Sequence, residues 1–203
     1  MTRILLARHG ETDWNRDGRW QGHSDRSLDD AGRAQARRLG THLARLGVDL
    51  LYSSDLARAR ETAAAVEAAT GLEARIDPDL REVDVGGLTG CSRAEVEARD
   101  PAWFQQWIEG AVTGYPDGET YQEVHRRSVR AFERILADAD GGTAVVVCHG
   151  GNIRAITLDV LGNPRAGERW RLAAVANCSI TAFERRHGRV ALVTFNETGH
   201  LGR

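Results

Sequence analysis

Two apolar runs in this chain end in the same way, and no other feature restricts its fold as much. Ile4-Leu5-Leu6-Ala7 runs into Arg8-His9-Gly10-Glu11, and Val145-Val146-Val147-Cys148 runs into His149-Gly150-Gly151. Short uninterrupted apolar runs read as strands buried on both faces, the habit of a parallel sheet covered by helices. Each run then delivers a histidine and a glycine to its carboxyl end, the edge at which open α/β sheets bind ligands. A charge buried there, such as Arg8, needs an anion or a carboxylate beside it. Glycines at a helix start let backbone N–H groups approach such an anion closely. The same pattern at two strand ends points to a site.

The rest of the chain alternates strands and helices. Residues 3–8 read as a first strand, and 28–46 as a helix with Asp29 or Asp30 at its cap and Gly47 as its stop. Ala31, Ala34, Leu39, Leu43 and Leu46 in it recur at roughly helical spacing. Residues 48–52 read as a second strand, Ser53-Ser54-Asp55 as its turn and cap, and 56–70 as a helix closed by Gly71. A third strand at 72–76 leads into an irregular stretch and two short helices at 92–99 and 101–109, so that about 83–120 forms a cover. A long helix at 119–139, a strand at 143–148, a helix at 152–161 and a hairpin of 179–184 with 189–195 around Arg186-His187-Gly188 follow. The prediction is an α/β fold: a three-layer α/β/α sandwich whose mixed sheet is mostly parallel and ends in a C-terminal antiparallel hairpin, one domain over 1–203.

With 41% hydrophobic and 28% charged residues the chain should fold, and a formal net charge of -2 gives no basic field for nucleic acid or an anionic membrane. Any anion site must be local. The three cysteines, Cys91, Cys148 and Cys178, make neither a CxxC pair nor a disulfide framework, which fits a reducing cytoplasm. The apolar run before Arg8 is too short for a signal peptide, and no run reaches transmembrane length. His23, His42, His125, His187 and His200 show no metal-ligand spacing and read as surface or structural.

Arg58 stands in the first turn of the helix after the second strand, where it can reach the same sheet edge as Arg8. Two guanidiniums, two imidazoles and helix-start amides suit a dianion such as a phosphoryl group. Proton transfer then needs a carboxylate, and Glu82 in Leu80-Arg81-Glu82 is the best placed by sequence. Taken together, Arg8-His9-Gly10-Glu11-Thr12 with Asn15, Arg58-Ala59 with Thr62-Ala63, Leu80-Arg81-Glu82 and His149-Gly150-Gly151 resemble the histidine phosphatase superfamily, founded on the cofactor-dependent phosphoglycerate mutases. The motifs occur in the family's order, and 195–201 is also similar to many members.

The resemblance implies a phosphoglycerate mutase-like fold and His9 as the nucleophile that becomes phosphohistidine. Arg8, Arg58, His149 and the Gly150 amide would hold the phosphoryl oxygens, with Asn15 as an added donor, and Glu82 would act as general acid and then base. Gln21, Gly22 and the aromatic set Trp103, Phe104, Trp107, Tyr115 and Tyr121 fall where the rest of a substrate would lie. Simple packing of the cover is the competing reading of those aromatics. Glu119 reads as a cap or ion-pair partner. No metal or other cofactor is required by this scheme, and the resemblance is compatible with a homodimer.

The short stretch between Glu82 and His149 resembles the phosphatase branch, acting on small phosphorylated metabolites. A phosphoglycerate-type mutase is the alternative, and a non-catalytic phospholigand-binding module is disfavoured by the joint presence of His9, His149 and Glu82. Val85-Gly86-Gly87 and Cys91 depart from the common family pattern in the region that sets specificity.

Overall fold

A computed structural model describes residues 1–163 and 171–202. Six strands form one sheet in the order β3-β2-β4-β1-β5-β6. They are β1 (Thr2–Arg8), β2 (Leu50–Ser53), β3 (Ala74–Ile76), β4 (Thr143–Cys148), β5 (Ile180–Arg186) and β6 (Arg189–Glu197). The first four are mutually parallel, and β5 and β6 add an antiparallel edge next to β1. The helices are α1 (Asp13–Arg16), α2 (Asp30–Leu46), α3 (Ala57–Thr70), α4 (Arg93–Arg99), α5 (Pro101–Glu109), α6 (Tyr121–Asp138) and α7 (Gly150–Val160). None of the described helices is long and apolar enough to cross a membrane.

The three layers follow from the strand period of two. Ile4 and Leu6 of β1 and Val146 of β4 pack with Phe132 and Ile135 of α6 and Ile153 of α7. Leu5, Ala7, Val145 and Val147 face the other way, onto Leu39 and Leu43 of α2 and Val66 of α3. Both faces of β1 and β4 are therefore dry, which is why these strands are uninterrupted apolar runs. A third cluster of Val85, Leu88, Val96, Phe104, Trp107 and Val112 is the interior of the cover.

Several local readings shift. The helix expected at 28–46 begins at Asp30, with Asp29 Oδ1 accepting from Gly32 N at 2.8 Å. Its buried face is Gly32, Gln35, Ala36, Leu39, Gly40 and Leu43, whereas Ala31 and Leu46 are exposed. Apolar spacing misjudged the phase because two glycines and a glutamine belong to the inner face. A Cβ on Gly32 would lie 2.0 Å from Glu11 O, and one on Gly40 would lie 2.5 Å from Ala65 O. Glycine is what lets the loop after β1 and helix α3 approach α2.

The start of α3 is corrected too. Asp55 does not cap it; Asp55 pairs with Arg81 at 2.5 Å, and Asp25 Oδ1 accepts from Ala57 N at 2.6 Å. The one-turn helix α1 was not anticipated, although its capping box between Thr12 and Asn15 is a sequence signal. At the hairpin, His187 (φ 51°) and Gly188 (φ 74°) supply the two left-handed positions of a type I′ turn. Gly86 (φ 51°) is explained by packing, since a Cβ there would lie 2.2 Å from Pro116 O.

The close approach at Gly32 has a measurable consequence. Gly32→Ala should destabilise the protein by about 3 kcal/mol, because the clash is with backbone that cannot rotate away. Urea unfolding reads this directly, and a loss below about 0.5 kcal/mol, the size of an ordinary surface change, would contradict it.

Candidate active site

Strands β1 and β4 are adjacent, parallel and paired with Arg8 opposite Cys148. The next residue of each, His9 and His149, therefore leaves the same sheet edge, and the two rings lie 5.1 Å apart at 55°. On the far side of β4, strand β2 ends in Ser53-Ser54. Ser54 N donates to Val147 O at 3.0 Å, and Ser54 Oγ lies 3.0 Å from His149 Nε2.

His9 is 1% exposed, and its Nδ1 lies 2.6 Å from Gly10 O. A carbonyl can only accept, so Nδ1 carries the proton and Nε2 keeps its lone pair. Burial, then the charges of Arg8 and Arg58, hold the imidazole well below the ordinary histidine range and outweigh the bond to Gly10. Gly10 is itself tied down, its N–H donating to Thr62 Oγ1 at 3.0 Å. His149, fully buried behind His9, is lowered in the same way by burial, then by Arg58, His9, Arg8 and Arg127. Both rings are neutral near pH 7.

Arg8 donates through Nη1 to Val175 O at 2.6 Å. Arg58 is fully buried and donates to Ser24 O at 2.7 Å and Gly22 O at 2.8 Å. Burial lowers the Arg58 guanidinium to about 10, so it remains a cation at neutral pH. Among the described residues, Arg8 Nε, Arg58 Nε and His149 Nδ1 are buried with no hydrogen-bond partner. Gln21 Oε1 is likewise without a partner; each such polar group costs about 1–3 kcal/mol, and the two guanidinium Nε–H donors suit an anion.

Glu82 sits over the start of α7. Its Oε1 accepts from Val83 N at 2.9 Å and Gly151 N at 3.0 Å. A Cβ on Gly150 would lie 3.9 Å from Glu82 Oε2 and 4.0 Å from Arg8 Nε, so acid, amide and guanidinium meet there. A Cβ on Gly151 would lie 2.3 Å from Glu82 Oε1, so any larger residue at the second position of α7 would push the carboxyl group of Glu82 aside. The backbone of the acid is clamped by Arg127, which donates to Arg81 O and Glu82 O, and by Asn152, which donates to Arg81 O.

Arg8, His9, Asn15, Gln21, Gly22, Arg58, Glu82 and Gly150 line one cavity of about 340 Å3; His149 does not line it, although its ring lies 5.1 Å from that of His9. Asn15 Oδ1 is engaged by Thr12 and Asn177. Gly22 contributes its carbonyl to Arg58. Of the cover aromatics, Trp107, Tyr115 and Tyr121 reach the cavity, while Trp103 and Phe104 do not line it. Trp107 packs against Trp20 at 5.0 Å and Phe104 at 5.8 Å, with the Arg93 guanidinium 5.6 Å from its ring, while also lining the cavity.

Several contributors escaped the sequence. Ser54 and Arg127 act through bonds to residues distant in the chain, which leave no spacing pattern. His23, read as surface or structural, lies 2.8 Å from Glu82 O through Nε2. His125 lines the cavity with Nε2 2.8 Å from Asp159 Oδ1. Glu119 pairs with Arg127 at 2.7 Å. Burial pushes the Cys178 thiol up to about 12 and Cys148 higher still, so both remain protonated thiols near neutral pH. Among the described residues no group of three or more His, Cys, Asp or Glu is arranged to hold a metal ion.

Comparison with known proteins agrees with this geometry. Residues 4–198 match the model of the histidine phosphatase superfamily, branch 1. The chain is 37% identical to a probable phosphoglycerate mutase GpmB of Citrobacter koseri, over 89% of this chain and 84% of the relative. It superposes on mycobacterial glucosyl-3-phosphoglycerate phosphatase Rv2419c complexed with VO3 at a TM-score of 0.89, with 32% identity, covering 97% of this chain and 99% of the other. A mutant phosphoserine phosphatase from Entamoeba histolytica in complex with phosphoserine gives a TM-score of 0.86 at 27% identity, over 99% of this chain and 100% of the other.

The buried neutral histidines make stability depend on pH. In the unfolded chain both titrate near ~6.5, and in the folded protein well below it, so the unfolded state binds more protons in between. Their contribution is fully present above the unfolded value and is lost as the pH falls from there towards the folded values. His9→Gln and His149→Gln should each lose less stability than the native protein between pH 7 and pH 5 in chemical denaturation. Equal losses in all three proteins would refute the assignment of buried neutral rings.

Proposed function

The chain belongs to the histidine phosphatase superfamily, branch 1, and from that premise we propose that it hydrolyses small phosphorylated metabolites through a phosphohistidine on His9. One observation carries the reading: the Nε2 lone pair of a neutral His9 close to the charges of Arg8 and Arg58, with the carboxyl of Glu82 lining the same cavity. His9 Nε2 attacks phosphorus and the ester P–O bond breaks. Arg8, Arg58, the Gly150 amide and His149 Nδ1 hold the equatorial oxygens, with Asn15 as an added donor. As the ring gains positive charge, its Nδ1–H bond to Gly10 O strengthens.

In the first step the carboxyl group of Glu82 is the proton donor to the departing alkoxide. In the second step it takes a proton from water, which attacks phosphorus and releases phosphate as the P–N bond breaks. Charge stabilisation comes from arginine, and no metal or other cofactor enters the cycle. Gln21, Gly22 and the cover face the alcohol part of the substrate. Arg19, Arg93 and Arg154 also line the cavity, and Glu82 is the one carboxylate side chain among its described lining residues. Arg19 pairs with Glu95 at 3.0 Å, and the arginine-rich lining suits esters bearing a further anionic group, as in the glucosyl-3-phosphoglycerate and phosphoserine of the phosphatases it resembles.

The GpmB relatives support a second reading, phosphoryl transfer between positions of a phosphoglycerate. Coverage of nearly the whole length of the phosphatases favours hydrolysis, since this chain carries no large segment that they lack. Phosphate release from a panel of phosphomonoesters decides between them. Release should survive excess EDTA and fall to background in His9→Ala. Glu82→Gln should slow an alkyl phosphate by about 100-fold or more and a nitrophenyl phosphate, whose leaving group needs no proton, by much less. Isomerisation that depends on a bisphosphate primer, with total ester phosphate conserved, would establish the mutase instead.

A further inference from the structure

The mechanism leaves unused the segment 195–201 and the histidine within it. Of the four non-glycine residues with positive φ among those described, Cys178 (φ 53°) lies in the loop 174–179 and Asn196 (φ 59°) lies against it. A left-handed cysteine is an uncommon conformation that the surroundings must hold in place. That loop embraces the nucleophile. Ser179 O accepts from Arg8 N at 3.2 Å, and Cys178 N donates to Arg8 O at 3.1 Å and His9 O at 3.3 Å. Asn177 Nδ2 donates to His9 O at 3.0 Å and to Asn15 Oδ1 at 3.2 Å. Val175 O takes the Arg8 guanidinium at 2.6 Å.

The loop is braced from behind by the end of β6 and the turn after it. Asn196 Oδ1 accepts from Ala176 N at 2.7 Å, and Asn196 Nδ2 donates to Ala174 O at 3.0 Å. His200 Nε2 donates to Cys178 O at 3.0 Å. The His200 side chain is 1% exposed, stacks on His42 of α2 at 4.9 Å, and has Glu197 Oε2 3.3 Å from Nδ1. The neighbouring Leu201 is buried, and its carbonyl accepts from Arg38 of α2 at 2.7 Å. The histidine is thus anchored to a helix on one side and to the loop on the other.

We infer that His200 and Asn177 are positioning residues for phosphoryl transfer. His200 holds the loop 174–179, and through Asn177 and the Cys178 amide the loop sets the direction in which His9 and Arg8 meet phosphorus. The inference rests on His9 being the nucleophile. A displacement of an ångström at a reacting atom can cost about 100-fold in rate, so a residue that touches no substrate can act this way.

The test is steady-state kinetics on a phosphomonoester that the native protein turns over, with thermal unfolding as a check on folding. His200→Ala and Asn177→Ala should each lower kcat by about 10- to 100-fold with KM within about threefold. His200→Gln, whose amide can place an N–H near the position of Nε2, should recover most of the loss. A folded His200→Ala with native kcat, a loss confined to KM, or a glutamine variant no better than alanine would overturn the inference. Should His200→Ala not fold, Asn177→Ala decides alone, a kcat loss supporting the positioning role and native kcat opposing it. His9→Ala, measured beside them, separates the two claims: residual turnover there would remove the nucleophile, and with it the premise, whatever His200 does.

Discussion

The parallel pairing of β1 with β4 in a single register underlies the whole site. With Arg8 opposite Cys148, the two following histidines emerge together at the carboxyl edge, and His9 N closes the pair by donating to Cys148 O at 3.0 Å. A one-residue slip would turn Ile4 and Leu6 towards α2 and α3 and exchange the contents of the two core layers. The cost of disturbing both hydrophobic layers therefore protects the geometry of a site that lies outside them. Arg58 is delivered to the same edge by the next parallel unit, as the second residue of α3.

The same arrangement places charge where burial makes it expensive. Two guanidiniums with unpartnered Nε atoms, beside two imidazoles denied protonation, are costly unless an anion meets them. Under the proposed reading, their fixed orientation is the preorganisation that phosphoryl transfer requires, since charge on the transferred group would be met without rearrangement. Rigidity comes from main-chain anchors: Ser24 and Gly22 carbonyls on Arg58, the Val175 carbonyl on Arg8, and Arg127 beneath Glu82. Stability and binding chemistry pull against each other here, and the surrounding hydrogen bonds keep the arrangement from relaxing.

What the sequence made legible were features with short-range signatures. The buried strands, the glycine stops after α2 and α3, the hairpin turn and the four motifs that define the family all appear as local patterns. Helix α2 was misphased because its inner face is set by the close approach of Glu11 and Ala65, which requires glycine rather than a large apolar residue. The cap of α3 comes from Asp25, more than thirty residues earlier, and pairwise spacing cannot indicate such a bond. For the same reason Ser54, His23, Arg127 and Asn177 were invisible as parts of the site. His200 reads as surface or structural, and its bond to Cys178 O connects it to the loop around His9.

Rapid mixing of the protein with a phosphomonoester, alkaline quenching within a turnover and peptide mapping would address the central claim directly. The account requires a phosphoryl group on His9, stable in alkali, labile in acid and formed no more slowly than turnover. Steady turnover with no phosphoenzyme, or a phosphoryl group on another residue, would contradict it.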